Sequence, residues 1–255
     1  MFITVNIGNT NTEIGLVREK KIFAERERTD TLKTAEDFKK TLSFFLSKHG
    51  GNRCRPEGAI LASVVPVATE PCIHALVDLT GVKPLVVEKH IKTGLDFSHY
   101  TDLLGSDRIA VCAAAWNRCK APFAVIDMGT ATTFNVVDRN GVFIGGAILP
   151  GLRMGLEALN RHTAQIPEIG LMKQAKVIGC NTEECLLAGA YYGTAAMVDG
   201  LIEDMSKALG ESVDVILTGG NAGTVKAYIK TKISYEPDLL LQGLAIIYLN
   251  NKRVS

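Results

Sequence analysis

The amino-acid sequence predicts an α/β protein made of two duplicated lobes, each a mixed sheet flanked by helices. Short apolar runs of strand length alternate with segments of helical periodicity through all 255 residues, which is the pattern of an α/β fold. The segment FITVNIGNT at 2–10 recurs as FAVIDMGT at 123–130, so Asp127 follows Asn6 by 121 residues. Because solenoid repeats recur roughly every 20 to 50 residues, this spacing indicates duplicated lobes, expected at 1–117 and 118–255.

The first lobe is expected to follow the order βββαβα. Alternating apolar and polar residues predict two strands joined by a turn rich in Gly and Asn. Phe38, Leu42 and Phe45 stand at helical spacing after Thr34, which is a suitable N-cap. The expected strands are 2–5, 13–17, 21–26, 58–65 and 85–87, and the expected helices are 34–49, 66–79 and 107–118.

The second lobe is expected to repeat the three-stranded start of the first. A strand from Phe123 leads into a turn at 129–132, and a second turn at Asn140-Gly141 separates the next two strands. The remaining elements are strands at 132–138, 142–148 and 213–218, and helices at 153–159, 182–209 and 239–250.

Composition and charge exclude several classes of protein. Apolar residues make up 47% of the chain and charged residues 22%, which excludes collagen, coiled coils and disordered chains. The 28 basic and 27 acidic residues leave a net charge of +1, so no broad attraction to nucleic acid or to a membrane surface is expected. The start lacks a basic region followed by an apolar core, and the six scattered cysteines fit reduced thiols, so we expect a cytoplasmic protein.

Each lobe begins with a turn suited to binding phosphate. The turns at 8–11 and 129–132 are rich in Gly, Thr or Asn, and such turns offer backbone N–H groups that an anion can approach closely. They are not P-loops, because the sequence GxxxxGK[ST] is absent. A single turn of this kind would fit an ordinary hairpin, but the second copy and the sequence TGG at 218–220 favour phosphate binding. Two such turns would hold a nucleotide in a cleft between the lobes.

Three further positions carry candidate chemistry. Asp107, followed by Arg108, could accept the proton of a substrate hydroxyl or could cap the helix that follows, and its position allows both. Asp127 ends an apolar strand, where a carboxylate needs a cation or hydrogen-bond donors. Thr182, preceded by Asn181 and followed by acidic residues, could cap a helix.

Motifs along nearly the whole chain resemble those of the type III pantothenate kinases, within the actin/hexokinase/Hsp70 superfamily. The GSDR sequence at 105–108 and the DMGTATT sequence at 127–133 are the most specific of them. The others are IGNTN at 7–11, SVVP at 63–66, GGAILPG at 145–151, GCNT at 179–182 and DLLLQGL at 238–244. The resemblance implies two actin-like, ribonuclease H-like lobes.

The resemblance also implies an activity and a set of site residues. It implies phosphorylation of pantothenate by ATP with Mg²⁺, the first step of coenzyme A biosynthesis, and a homodimer. Asp107 matches the general base, and Asp127 matches the ligand of a monovalent cation, K⁺ or NH₄⁺. The implied pantothenate contacts are Gly105, Ser106, Asp107, Arg108, Thr182 and Tyr100. The implied ATP contacts are Asn6, Ile7, Gly8, Asn9, Thr10, Asn11, Thr12, Glu13 and Thr130. The residues 188–197 could form the dimer interface or belong to the core.

Two positions depart from the family pattern. Asn6 and Asn135 stand where the family has aspartate, and each substitution removes a negative charge. An impaired pantothenate-binding or regulatory protein is therefore one alternative, and an actin-like kinase of another small alcohol is a second. The remaining carboxylates, Asp107 and Asp127, could equally suffice for catalysis.

Overall fold

The chain folds into two compact units. The structure, a computed structural model, describes residues 1–19, 21–51, 55–119, 122–171 and 174–252. The first unit comprises Met1–Arg118 together with Leu239–Ser255, and the second comprises Cys119–Asp238. Among the cysteines, Cys54 lies outside the described residues, and the five that are described are free thiols.

The first unit is a five-stranded sheet with helices on both faces. Its strands are β1 (Phe2–Ile7), β2 (Asn11–Arg18), β3 (Lys21–Arg28), β4 (Ala59–Ser63) and β5 (Leu85–Val86), in the spatial order β3-β2-β1-β4-β5. Strand β1 runs antiparallel to β2 and parallel to β4. The helices are α1 (Ala35–Gly50), α2 (Pro66–Thr80), α3 (Ser106–Cys119) and α8 (Leu239–Lys252).

One face of this sheet forms the core with α1 and α2. Ile3, Val5 and Ile7 alternate along β1 and pack in a cluster with Phe38 of α1 and Leu76 of α2. Since successive side chains of a strand point to opposite faces, Thr4 and Asn6 lie on the other face. Helix α8 contacts that sheet.

Helix α1 begins where the sequence predicts. The Thr34 hydroxyl accepts a hydrogen bond from the Asp37 N–H at 3.2 Å, and the Asp37 carboxylate accepts one from the Thr34 N–H at 2.9 Å. This reciprocal pair is a capping box, which satisfies two backbone donors at the start of the helix. The prediction of Thr34 as N-cap is confirmed.

The second unit repeats the strand arrangement of the first. Its strands are β6 (Phe123–Met128), β7 (Ala131–Val137), β8 (Phe143–Pro150), β9 (Asp214–Thr218) and β10 (Ser234–Tyr235), in the order β10-β9-β6-β7-β8. Strand β6 is antiparallel to β7 and parallel to β9, as β1 is to β2 and β4. The helices are α4 (Leu152–His162), α5 (Thr182–Ala188), α6 (Thr194–Leu209) and α7 (Ala222–Val225). The expected fold class, two duplicated lobes with mixed sheets, is confirmed.

The C-terminal helix belongs to the first unit, whereas the sequence bounds of 118–255 placed it in the second lobe. The ring of Tyr248 stacks on Phe2 with 4.1 Å between ring centroids. Gly243 lies against Ala110 of α3, and a Cβ on it would come within 2.6 Å of the Ala110 carbonyl carbon. These long-range contacts decide the place of α8, and local sequence carries no signal for them.

The crossing of α8 and α3 gives a stability prediction. Gly243→Ala is expected to lower the free energy of unfolding by about 1 to 3 kcal/mol, because the methyl group overpacks the contact with Ala110. Gly200→Ala is the matched control, because Gly200 lies within α6 with open space around its Cα. This substitution should raise the free energy of unfolding by about 0.5 to 1 kcal/mol. Thermal or urea unfolding measures both, and equal stabilities for the two variants would contradict the packing argument.

A continuous helical run, Thr182–Leu209, joins α5 to α6 through a π-helical segment, Gly189–Gly193. By length and composition alone this run could cross a membrane, and 28% of its apolar window is buried. Its Tyr191 and Val198 nevertheless pack in the core of the second unit. Its Asp199 carboxylate accepts hydrogen bonds from the N–H groups of Lys230 and Thr231. The run is therefore an integral helix of the second unit with one exposed side.

Candidate active site

The first predicted phosphate turn lies between β1 and β2, where the sequence places it. The N–H of Gly8 donates to the Asn11 carbonyl at 3.0 Å and closes the turn. Asn9 and Thr10 are exposed at its tip, whereas Thr12 is fully buried. Glu13, predicted to contact ATP, forms an ion pair with Arg26 of β3. The turn is thus fixed at its base and open at its tip, as anion binding requires.

The side chain of Asn6, beside this turn, contains a buried polar atom whose hydrogen bonding is unsatisfied within the described residues. The side chain is 6% exposed, and its Oδ1 has no hydrogen-bond partner in the described part of the chain. A buried polar atom left unpaired costs about 1 to 3 kcal/mol, so the position is suited to a ligand that supplies the missing partner. An amide oxygen is a hard donor of the kind that Mg²⁺ accepts together with nucleotide phosphates. Asn6 therefore fits the metal–nucleotide complex despite the lost charge.

The start of α3 is fastened to the end of β4, next to β1. The Ser106 hydroxyl donates to the Ser63 carbonyl at 3.1 Å, and the Val64 N–H donates to the Ile7 carbonyl at 3.0 Å. Helix α3 begins at Ser106, so Asp107 lies inside its first turn rather than at the capping position. These bonds hold Asp107 at the same end of the sheet as the Gly8 turn.

Burial sets the acid–base character of Asp107. The carboxylate is largely removed from water, which raises its pKa above the ordinary 3.8, while the N–H and guanidinium of Arg108 act in the opposite direction. Its Oδ1 accepts the Arg108 N–H at 2.8 Å. A Cβ on Gly105 would lie 2.6 Å from the same oxygen. Any side chain at position 105 would therefore collide with the Asp107 carboxylate, and glycine avoids this collision.

Arg108 and Tyr100 stand together beside Asp107. The Arg108 guanidinium lies 5.5 Å from the centroid of the Tyr100 ring, and Arg108 is only 8% exposed. The Tyr100 carbonyl in turn accepts a hydrogen bond from the Lys89 ammonium. The structure thus brings together the predicted substrate residues 105–108 and Tyr100, although their roles stay predictions.

In the second unit, Asp127 meets the loop that the sequence singled out at 218–220. Asp127 at the end of β6 pairs with Thr218 at the end of β9. Gly219 adopts a φ of +96°, and a Cβ there would collide with the Asp127 carboxylate and approach the Met128 nitrogen to 2.5 Å. Across the described residues no cluster of three or more His, Cys, Asp or Glu side chains could hold a metal. A cation at Asp127 would therefore need backbone or ligand oxygens in addition.

Thr182 is the first residue of α5 and is exposed. The cap is Asn181, whose side chain accepts the Glu184 N–H at 2.9 Å. The Thr182 hydroxyl is thus not needed for capping, which is compatible with a substrate contact that remains a prediction.

Asn135 has a structural explanation. The side chain is fully buried in β7, and its Nδ2 donates to the Val125 carbonyl at 3.4 Å and to the Thr133 hydroxyl at 3.1 Å. A carboxylate cannot donate these bonds. The two hydrogen bonds donated by the Asn135 amide therefore explain an asparagine at this position of β7.

Two residues that the sequence analysis did not select hold the turns in place. Thr29 donates its hydroxyl to the Gly8 carbonyl at 2.7 Å, and Asn221 donates its Nδ2 to the Gly129 carbonyl at 3.0 Å. Asn221 directly follows the TGG sequence, which was the available signal, and Thr29 directly follows the third strand.

Comparison with known proteins identifies the family. The family model described as type III pantothenate kinase matches residues 2–204. The chain belongs to this family. Type III pantothenate kinases of Listeria innocua and of a Roseiflexus species are 34% and 35% identical to it, over 99% of this chain and 98% and 100% of theirs. The resemblance read from the sequence is confirmed.

Solved structures support the same fold. A Campylobacter jejuni protein described as a Baf family transcriptional activator has a TM-score of 0.62 at 19% identity, covering 98% of this chain and 99% of its own. The activator of 2-hydroxyisocaproyl-CoA dehydratase from Clostridium difficile has a TM-score of 0.56 at 13% identity, covering 100% and 97%. At such identities the likeness shows the fold alone.

Proposed function

We propose that this protein transfers the γ-phosphoryl group of ATP to the hydroxyl of pantothenate, the first step of coenzyme A biosynthesis. The observation that carries the proposal is the group of Asp107, Arg108 and Tyr100 at the start of α3, in a chain of the type III pantothenate kinase family. Family membership favours an active kinase over the binding-protein alternative that Asn6 raised from sequence.

Asp107 serves as the general base of the reaction. Its carboxylate accepts the proton of the pantothenate hydroxyl while the oxygen bonds to the γ-phosphorus and ADP leaves with the bridging oxygen. Because burial raises the pKa of Asp107, it is a stronger base than a solvated aspartate. Arg108 binds the pantothenate carboxylate through two parallel hydrogen bonds, while its guanidinium lies over the Tyr100 ring at 5.5 Å from the centroid.

The turns at 8–11 and 129–130 bind the nucleotide phosphates through backbone N–H groups. Asn6 Oδ1 would help to hold the divalent cation of the nucleotide, since that oxygen is buried without a partner among the described residues. When bound, the cation neutralises charge that develops on the phosphoryl group.

Asp127 is the proposed ligand of a monovalent cation, K⁺ or NH₄⁺. Its carboxylate lies near the end of β6 against the Cα of Gly219, which leaves the carboxylate room that a side chain at 219 would fill. A cation there offsets the cost of placing a carboxylate at the end of a buried strand.

The experiment is a test of product formation by the purified full chain. With pantothenate, ATP and Mg²⁺, we expect phosphopantothenate by mass spectrometry in KCl or NH₄Cl, and several-fold less in NaCl. A folded protein that forms no product in any of these salts contradicts the proposal. Product formed only by Asn6→Asp would favour the binding-protein alternative.

We further propose a homodimer. The second unit exposes large apolar side chains, among them Ile148 of the edge strand β8 at 62% and Ile178 at 77%. Helix α4 buries Leu152 and leaves Met154 and Leu159 exposed. We infer that these side chains contact a second copy of the chain, which would remove them from water. In such a dimer Thr182 would reach the substrate of the partner. We place the enzyme in the cytoplasm, where ATP is available.

The dimer is tested by Ile148→Arg, because a charge on an apolar contact is expensive to bury. Light scattering after size exclusion should show a dimer for the unaltered chain and at least tenfold weaker association for Ile148→Arg. Val67→Arg is the control, since Val67 is 84% exposed on the first unit. A monomeric unaltered chain, or a fully dimeric Ile148→Arg variant, contradicts the proposed contact.

A further inference from the structure

The first carbonyl of each phosphate turn is bound by a side chain from a distant part of the chain. Gly8 directly follows β1, and its carbonyl accepts the Thr29 hydroxyl at 2.7 Å. Gly129 directly follows β6, and its carbonyl accepts the Asn221 amide at 3.0 Å. The two carbonyls occupy the same place in the duplicated units, yet their donors differ in residue type and in origin.

A backbone bond next to each carbonyl is also duplicated. The residue after the third strand, Thr29 in the first unit and Gly151 in the second, donates its N–H to the carbonyl of the turn threonine, Thr10 or Thr130, at 3.0 Å in both cases. A Cβ on Gly151 would come within 2.6 Å of the Gly129 carbonyl oxygen. The second unit therefore has no room for a side chain at the position of Thr29, and the donor comes from Asn221 instead.

The geometry of the peptide bond explains what the hydrogen bonds from Thr29 and Asn221 do to each turn. In a planar trans peptide the C=O and the following N–H point in opposite directions. Holding the Gly8 carbonyl on Thr29 therefore turns the N–H of Asn9 away from Thr29, and holding the Gly129 carbonyl on Asn221 does the same for the N–H of Thr130. A peptide that rotated instead would present its oxygen to an anion and repel it.

We propose that Thr29 and Asn221 are positioning residues that orient the two turns for phosphate. Thr29 is 7% exposed, and its hydroxyl also lies 3.0 Å from the Thr12 hydroxyl, so it is held in one orientation. The proposal rests on the proposed function, because it gives the turns their role in binding the phosphates of ATP. Neither residue touches the phosphates; each acts through the peptide that it holds.

The test removes each donor without adding charge. Thr29→Val replaces the hydroxyl by a methyl group, and Asn221→Leu replaces the amide by an apolar group of similar size. Each is expected to weaken ATP binding about tenfold by calorimetry, the effect of losing one hydrogen bond that orders the site. The KM for ATP should rise by a similar factor while the Kd for pantothenate stays within about twofold. Thr29→Ser keeps the hydroxyl and should restore ATP affinity.

Matched controls separate this role from a general loss of stability. Thr29 and Thr31 belong to a short 3₁₀ helix, Thr29–Thr31. Thr31→Val removes the hydroxyl that donates to the Arg28 carbonyl, and Asn160→Leu removes an amide that donates to the Ile166 carbonyl in the second unit. Both controls should leave ATP affinity unchanged, even where they lower the unfolding temperature as much as the test variants do.

Three outcomes would overturn the proposed positioning role, and they differ in what they imply for the kinase proposal. If Thr29→Val and Asn221→Leu bind ATP as well as the unaltered protein does, the positioning role of Thr29 and Asn221 is overturned and the kinase proposal stays intact. An equal loss of ATP affinity in the two controls also overturns the positioning role. An unaltered protein that binds no ATP overturns both proposals.

Discussion

Asp107→Asn is expected to lower kcat by about 100- to 10,000-fold, the usual contribution of a general base. The amide keeps the oxygen that accepts the Arg108 N–H at 2.8 Å, so the start of α3 should stay in place. The KM for pantothenate should change little, because Arg108 still binds the substrate carboxylate. Steady-state kinetics measures both constants. Asp102→Asn is the matched control, since Asp102 is exposed in the loop before α3.

The same variant carries a prediction for pH and stability. Burial raises the pKa of Asp107 above its ordinary 3.8, so the ionised carboxylate destabilises the folded protein at any pH above that raised pKa. The penalty disappears as the pH falls through the raised pKa towards 3.8. Asp107→Asn should therefore be at least as stable as the unaltered protein at pH 7, with the difference shrinking in acid. The activity of the unaltered protein should fall over the same acidic range, as its base becomes protonated.

Two results would contradict this assignment. Full activity of Asp107→Asn would show that another group accepts the proton. A variant markedly less stable than the unaltered protein at pH 7 would show that the carboxylate is a structural residue.

Gly219→Ala is expected to lower the free energy of unfolding by about 2 to 4 kcal/mol and to weaken ATP binding at least tenfold. Gly219 has a φ of +96°, where side chains are strained, and its added Cβ would collide with the Asp127 carboxylate and approach the Met128 nitrogen to 2.5 Å. Relief of the collision must move Asp127 or the end of β6, and the turn that follows moves with it.

Gly210→Ala separates backbone strain from the collision. Gly210 has a similar positive φ of +72°, but an added Cβ meets no atom within 4 Å among the described residues. Gly210→Ala should lower the free energy of unfolding by about 1 to 2 kcal/mol and leave ATP binding unchanged. Urea unfolding and calorimetry on both variants measure the difference. Equal losses of ATP affinity would show that the contact with Asp127 is unimportant.

Features encoded by neighbouring residues could be predicted from the sequence. Thr34 and Asp37 cap α1 within one turn, and Pro66 begins α2 where the apolar strand before it ends. The GSDR sequence predicted Asp107 and Arg108 as site residues, and the structure places them side by side in the first turn of α3. Short elements with few local signals, β10 (Ser234–Tyr235) and α7 (Ala222–Val225), were not predicted.

Features created by the tertiary fold could not be predicted. Thr29 and Asn221 meet their glycine carbonyls across 21 and 92 residues of sequence. Asn135 looked like a lost charge, and only its bonds to Val125 and Thr133 show why an amide suits that strand. In each case the partner is decided by strand pairing and helix crossing, which a local pattern does not record.

The place of α8 has a consequence for synthesis of the chain. Residues 119–238, the whole second unit, are synthesised before Leu239–Lys252. The first unit therefore lacks the helix that stacks on Phe2 and crosses α3 at Ala110 until the second unit has been synthesised. Because α3 carries Asp107, this candidate base gains the packing of α8 only after both units have been synthesised. A chain that ends before Leu239 would thus contain every candidate site residue and still lack the helix that packs against α3.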